Sequence, residues 1–164
     1  VGRRQNSLLI GALLLGWVVW TWFMPPAFAA RVDPYVSRYL KVTQPVDLPA
    51  DAQGTMQSFT ALDLSAGKQL FESNCINCHV GGATLPNPRV SLSLADLRGA
   101  SPPRDNIRAL VQFTRLPKNY DGTEDSYTCR ELSPQTATDE ELAQLAAFIL
   151  QAARVAPGWG SKDF

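Results

Sequence analysis

Histidine occurs once in these 164 residues and methionine twice, with no methionine beyond position 56. Any site that needs two imidazoles from one chain is therefore excluded. Cysteine occurs three times, too few for a dense disulfide framework and odd in number, so one thiol is left over from any pair. Lysine and arginine total 15, as do aspartate and glutamate. That balance argues against a nucleic-acid or polybasic membrane-surface role. Long apolar segments are few, and internal repeats and low-complexity stretches are absent.

What is present is Cys75-Ile76-Asn77-Cys78-His79. In a C-x-x-C-H pattern two thiols capture the vinyl groups of a haem and the following histidine ligates its iron. Cys75 and Cys78 are thus read as thioether attachments for one covalent haem c, and His79 as the proximal axial ligand. Because His79 is the only histidine, the opposite face of the iron needs another residue type or stays open.

The first thirty residues bear on where this chemistry happens. Arg3 and Arg4 form a positive start, Leu8 to Phe23 is uncharged and apolar, and Ala27-Phe28-Ala29 is a small-x-small cleavage signature. Cleavage after Ala29 is expected, making residues 1–29 a signal peptide; a retained membrane anchor is the alternative. Loss of Arg3 and Arg4 leaves 13 basic and 15 acidic residues, a mildly acidic chain of one small domain. Export suits the motif, since covalent haem attachment is associated with compartments outside the cytoplasm, where a bare C-x-x-C pair tends to oxidise.

Residues 30–62 carry Pro34, Pro45, Pro49 and Gly54 and predict an extended N-terminal arm, with β-prone pieces at Val42-Thr43 and Met56 to Thr60 and a hairpin around Ala52-Gln53-Gly54. From 63 to 164 the pattern is helical. A helix beginning near Ser65 places Gly67 and Phe71 on one face and ends in the haem motif; glycine there admits close approach of another helix. Thr138 with Glu141 forms a capping box, and Leu142, Leu145, Ile149 and Ala153 make an apolar stripe widened by Phe148 and Ala152. A middle helix is expected with Ser101 as cap and Pro102 in its first turn. Ile107, Leu110, Val111 and Thr114 would face the core, with Pro117 as terminator. The stretch from Gly81 to Gly99 reads as a loop. Two helices crossing near Gly67 around a covalent haem resemble the cytochrome c fold, a mainly α small domain.

For the sixth ligand position the chain offers no methionine downstream of the motif, and Met24 and Met56 lie upstream, Met56 having packing as its alternative. Cys129 is the leftover thiol. It is read either as a buried inert thiol, as an intermolecular disulfide, or as a thiolate ligand, which iron would stabilise. Tyr120, Tyr127 and Lys118 are weaker candidates because each must lose a proton at a pKa near ten or above. Water at an open site is the remaining option.

Further landmarks follow the motif: Val80-Gly81-Gly82, Asn87-Pro88, Pro102-Pro103-Arg104-Asp105-Asn106-Ile107 and Asn119-Tyr120-Asp121-Gly122. With these the chain resembles the low-potential cytochrome c-550 family of photosystem II, from about Val46 through Trp159-Gly160, and within it the divergent c-550-like branch. The resemblance implies a distal histidine shortly after the Tyr-Asp-Gly turn. Here Ser126-Tyr127-Thr128-Cys129-Arg130 stands in that segment, so the resemblance implies Cys129 as the distal axial ligand.

The expected function is one-electron transfer by a low-potential haem with His79 and Cys129 as axial ligands, in or near photosystem II. Partners would be redox proteins and the lumenal face of photosystem II, with no nucleic acid, and peripheral membrane association at most. The thylakoid lumen is the expected compartment. A photosystem II subunit with a mainly structural haem is the second reading, and a haem enzyme or gas sensor with an open site the third. Trp159 reads as a packing anchor, Asp139-Glu140-Glu141 as an acidic helix start, and Arg104 with Asp105 as a helix start and local ion pair. Arg130 and Glu131 read as solvated charges, and Asn77 and Asn87 as polar groups near the cofactor.

Overall fold

Thr60 and Asp63 bond reciprocally, the Thr60 side chain accepting from the Asp63 backbone at 3.2 Å and the Asp63 carboxylate accepting from the Thr60 backbone at 2.8 Å. This capping box starts the motif-bearing helix four residues ahead of Ser65. The computed structural model describes residues 31–86 and 88–161. The signal segment, Met24 and Asn87 lie outside the described residues.

Chain order is α1 (Pro34–Arg38), β1 (Val46–Pro49), β2 (Met56–Phe59), α2 (Ala61–Asn74), a 3-10 turn (Val80–Gly82), α3 (Leu94–Gly99), α4 (Ile107–Arg115) and α5 (Asp139–Val155). The two strands pair antiparallel with Val46 opposite Phe59 and Pro49 opposite Met56. Their hairpin turns at residues 51–55, where the Asp51 carboxylate accepts from the Gln53 and Thr55 amides. Val42 and Thr43 take no part in it, because Pro45 interrupts the chain and the strand begins at Val46. The N-terminal segment also includes the short α1, capped by Asp33 and held to α2 by Lys68, which pairs with Asp33 at 3.0 Å.

The core forms where α5 crosses α2. A Cβ on Gly67 would overlap the backbone carbonyl of Gln144, so the two helices are in main-chain contact there. Leu64 and Phe71 from α2 meet Leu142, Leu145, Phe148 and Ala152 from α5, all buried. Ile107 and Leu110 of α4 close a second side. Among the described residues no helix is long and apolar enough to cross a membrane.

Two further expectations change. The stretch 81–99 is not wholly loop, since Ser93 caps α3 by accepting from the Asp96 amide at 3.2 Å. The middle helix begins at Ile107 rather than after Ser101: Asn106 supplies the cap, accepting from the Ala109 amide at 3.0 Å, while Ser101, Pro102 and Pro103 lie outside it. An Asn side chain satisfies the first-turn donors as well as Ser does, and the paired prolines hold the preceding chain outside the helix.

Candidate haem site

Cys75 caps the end of α2. Its amide donates to the Phe71 carbonyl at 2.8 Å, and its own carbonyl accepts from the Cys78 amide at 3.1 Å and the His79 amide at 2.9 Å. The chain therefore folds back within one turn, bringing Cys78 and His79 to a single cavity. That reversal continues through Gly81 and Gly82, both at positive φ (56° and 79°), where side chains are strained. Trp159 lies against Gly82, its indole N–H donating to the Leu92 carbonyl at 2.9 Å, and Gly160 donates to the Gly81 carbonyl at 2.8 Å. Trp159 is thus the packing anchor expected of it, ring to ring with Phe71 and Phe148.

The cavity is partly open to solvent, and most of its exposed lining is apolar. His79 and Cys129 both line it, as do Leu92, Leu97 and Phe113. One imidazole and thiols at an apolar cavity suit a thioether-bound haem. Cys75 packs against the core beside it. Burial, and then the proximity of Cys129 and Cys78, push the Cys75 thiol up to about 12.

His79 Nδ1 lies 2.9 Å from the Thr84 hydroxyl, and that hydroxyl donates to the Val90 carbonyl. A hydroxyl has one proton, so with it given to Val90 the Thr84 oxygen accepts from Nδ1–H. Nε2 is left with its lone pair, the tautomer a metal takes up. Burial lowers the His79 pKa, partly offset by the Ala83 backbone, and so favours the neutral ring. Thr84→Val should leave Nδ1–H without its acceptor; with a haem iron held at Nε2, the weaker imidazole donor would move the reduction potential upward, and an unchanged potential in a redox titration would count against it.

Cys129 arrives on the long connection between α4 and α5. Burial raises its pKa, the Arg104 guanidinium opposes that rise, and Cys78 adds to it. Of the other sixth-ligand candidates, Tyr120 and Lys118 also line the cavity, but Tyr120 donates its hydroxyl to the Asp96 carbonyl at 2.9 Å and Lys118 pairs with Asp125 at 2.6 Å. Tyr127 is 93% exposed and does not line the cavity; Met56 is 52% exposed on β2 and does not line it either. Arg130 and Glu131 are exposed, as expected.

Arg104 differs from its expected role. Asp105 pairs with Arg98 at 3.5 Å, while Arg104 turns toward the cavity and stacks its guanidinium 4.1 Å from the Phe113 ring centre. Sequence reasoning also passed over Thr84. The only signal for either was position: Thr84 five residues after His79, and Arg104 in the Pro-Pro-Arg-Asp-Asn run.

Fold and cavity together define a small cytochrome c-like domain. Residues 39–164 match the cytochrome c-550 domain model, and the chain belongs to that family. It is 57% identical over 163 residues to a cytochrome c-550-like protein of Thermosynechococcus vestitus, covering 99% of this chain and 93% of that one. A photosystem II extrinsic protein V of Gloeobacter violaceus is 56% identical over 133 residues, 81% of this chain and 72% of the other. Among solved structures, the PsbV2 cytochrome of Thermosynechococcus elongatus superposes with a TM-score of 0.78 at 62% identity, over 80% of this chain and all of that one. Membership makes the chain a c-type cytochrome of a family associated with photosystem II, among electron carriers and extrinsic subunits rather than enzymes.

Proposed function

We propose that this chain is a lumenal one-electron carrier of low potential, in which Cys75 and Cys78 would attach one haem c and His79 and Cys129 would hold its iron. The observation that carries the reading is the shared cavity, which His79 and Cys129 both line although they stand 50 positions apart in sequence. The haem supplies a one-electron couple between ferric and ferrous iron. His79 presents Nε2 because Thr84 takes up Nδ1–H. Cys129 would contribute a thiolate, whose negative charge would favour the ferric state and lower the potential relative to a thioether ligand. Leu92, Leu97 and Phe113 keep water from the buried side of the cavity.

Residues 1–29 act as a cleaved signal peptide, residues 30–62 as an N-terminal arm, and residues 63–164 as the haem domain. The signal peptide directs export, and the similarity to a photosystem II extrinsic protein V supports the thylakoid lumen as the compartment, with redox proteins as partners.

Optical and electron-spin spectra of the ferric holoprotein test the ligand. Wild type should be low-spin with a thiolate signature, and Cys129→Ala should lose that signature entirely. An unchanged spectrum removes Cys129 from the iron.

The second reading is an extrinsic subunit docked on photosystem II, in which haem mainly completes the core. The 56% identity to a photosystem II extrinsic protein V favours it. Co-purification decides: a mature protein that neither binds photosystem II nor restores oxygen evolution in the absence of the main cytochrome is not such a subunit.

A further inference from the structure

Cys129 sits on a stretch with little packing of its own. Tyr127, Thr128, Arg130 and Glu131 around it are all exposed, and the Cys129 amide donates to the side chain of Ser126 at 3.2 Å, within the same connection. Its placement at the cavity is set by the anchors on either side, buried Leu132 downstream, whose amide donates to the Thr114 carbonyl at 2.9 Å, and Ser126 upstream, which bonds the Cys129 backbone itself. The Ser126 amide donates to the Pro117 carbonyl at 2.9 Å, which closes residues 117–126 into one unit. The next two carbonyls of that unit, those of Lys118 and Asn119, both accept from Nη2 of Arg104, the first at 3.1 Å. An unbroken chain of hydrogen bonds and short backbone links thus runs from Arg104 through the 117–126 unit and Ser126 to Cys129.

Arg104 is itself well placed to act as the fixed end. Its amide donates to the Leu97 carbonyl at 2.8 Å, anchoring it beyond α3, and its guanidinium stacks on Phe113 of α4. Two neighbouring contacts brace the same junction: the Ser101 amide donates to the Tyr120 carbonyl at 2.8 Å, and a Cβ on Gly122 would overlap the Ser101 carbonyl. A planar guanidinium that stacks on a ring while one of its nitrogens donates to two successive carbonyls is geometry that arginine has and lysine, with no planar group, lacks.

We propose that Arg104 is the positioning residue for the distal ligand, clamping the 117–126 unit so that Cys129 is presented to the cavity. The inference rests on the ligand role given to Cys129 above, and its test separates the two.

Ferric holoproteins of wild type, Cys129→Ala, Arg104→Met and Arg104→Lys are compared by electron-spin and optical spectroscopy, with helix content followed by circular dichroism. Arg104→Met should keep its helix content and haem yet lose more than half of the thiolate low-spin signal. Arg104→Lys, which keeps the charge but not the planar group stacked on Phe113, should show a mixture of ligation states. If Cys129→Ala alters the spectrum while Arg104→Met does not, the clamp is wrong and the ligand role stands. If Cys129→Ala leaves the spectrum unchanged, both fall. Should Arg104→Met fail to yield folded holoprotein, Arg104→Lys decides alone: a mixed spectrum supports the clamp and a wild-type spectrum overturns it.

Discussion

Gly67→Ala should lower the stability of the holoprotein by about 3 kcal/mol and its thermal midpoint by roughly 10 °C. Helix propensity alone predicts the opposite sign, since alanine in a helix interior is favoured over glycine by ~1 kcal/mol. The reversal comes from α5. The added methyl would overlap the Gln144 carbonyl, and its other close neighbours are the Gln144 carbonyl carbon at 2.5 Å and the Leu145 amide nitrogen at 2.9 Å. These are main-chain atoms in the middle of a 17-residue helix, so no side chain can rotate away and the helices must separate. Separation would also loosen Phe71 against Phe148, one turn further along. Thermal unfolding followed at 222 nm decides between the two signs, and a neutral or stabilised Gly67→Ala variant would falsify the close crossing.

Phe148→Ala should cost the most of any single side-chain truncation in the core, on the order of 3–5 kcal/mol. The ring is 2% exposed and lies within ring-contact distance of Tyr35 (6.2 Å), Phe71 (5.4 Å) and Trp159 (5.7 Å). It therefore joins α1, α2 and the C-terminal tail to α5, and removing it leaves a void between elements that are themselves anchored elsewhere. Tail and motif are linked here, because Trp159 lies on Gly82 beside His79 and is held by Leu92. Loss of the Phe148 ring should thus raise hydrogen exchange around residues 81–84 as well as reduce global stability. Phe148→Leu, which refills much of the volume, should lose clearly less. A denaturant midpoint for Phe148→Ala within 1 kcal/mol of wild type would show that the ring does not carry this packing.

Parts of this architecture are legible from local residue patterns. Thr138 and Glu141 announce the start of α5, and the structure has the capping box they imply, with the Glu141 carboxylate accepting from the Thr138 amide at 2.7 Å. The stripe Leu142, Leu145 and Ile149 is buried as its helical spacing requires. The middle helix is less legible: Ser101 and Asn106 are both competent caps, and only the chain path between α3 and α4 selects Asn106. Thr60 and Asp63 were an equally local signal for α2, with Asp in place of the usual Glu or Gln.

Residue types alone carry the available chemistry: a C-x-x-C-H motif, a single imidazole, and no methionine after position 56. These are properties of residue types and short spacings, which do not depend on how distant segments meet. Tertiary structure decided which of the remaining candidates reaches the cavity in company with His79. Cys129, Tyr120 and Lys118 line it and Tyr127 does not, although Tyr127 is two residues from Cys129. That selection depends on contacts across the chain, with Arg104 on the carbonyls of 118 and 119, Tyr120 on Asp96, and Trp159 behind the motif turn. Each joins residues at least 14 positions apart, beyond the reach of any local periodicity, so the placement of Cys129 is a property of the folded chain.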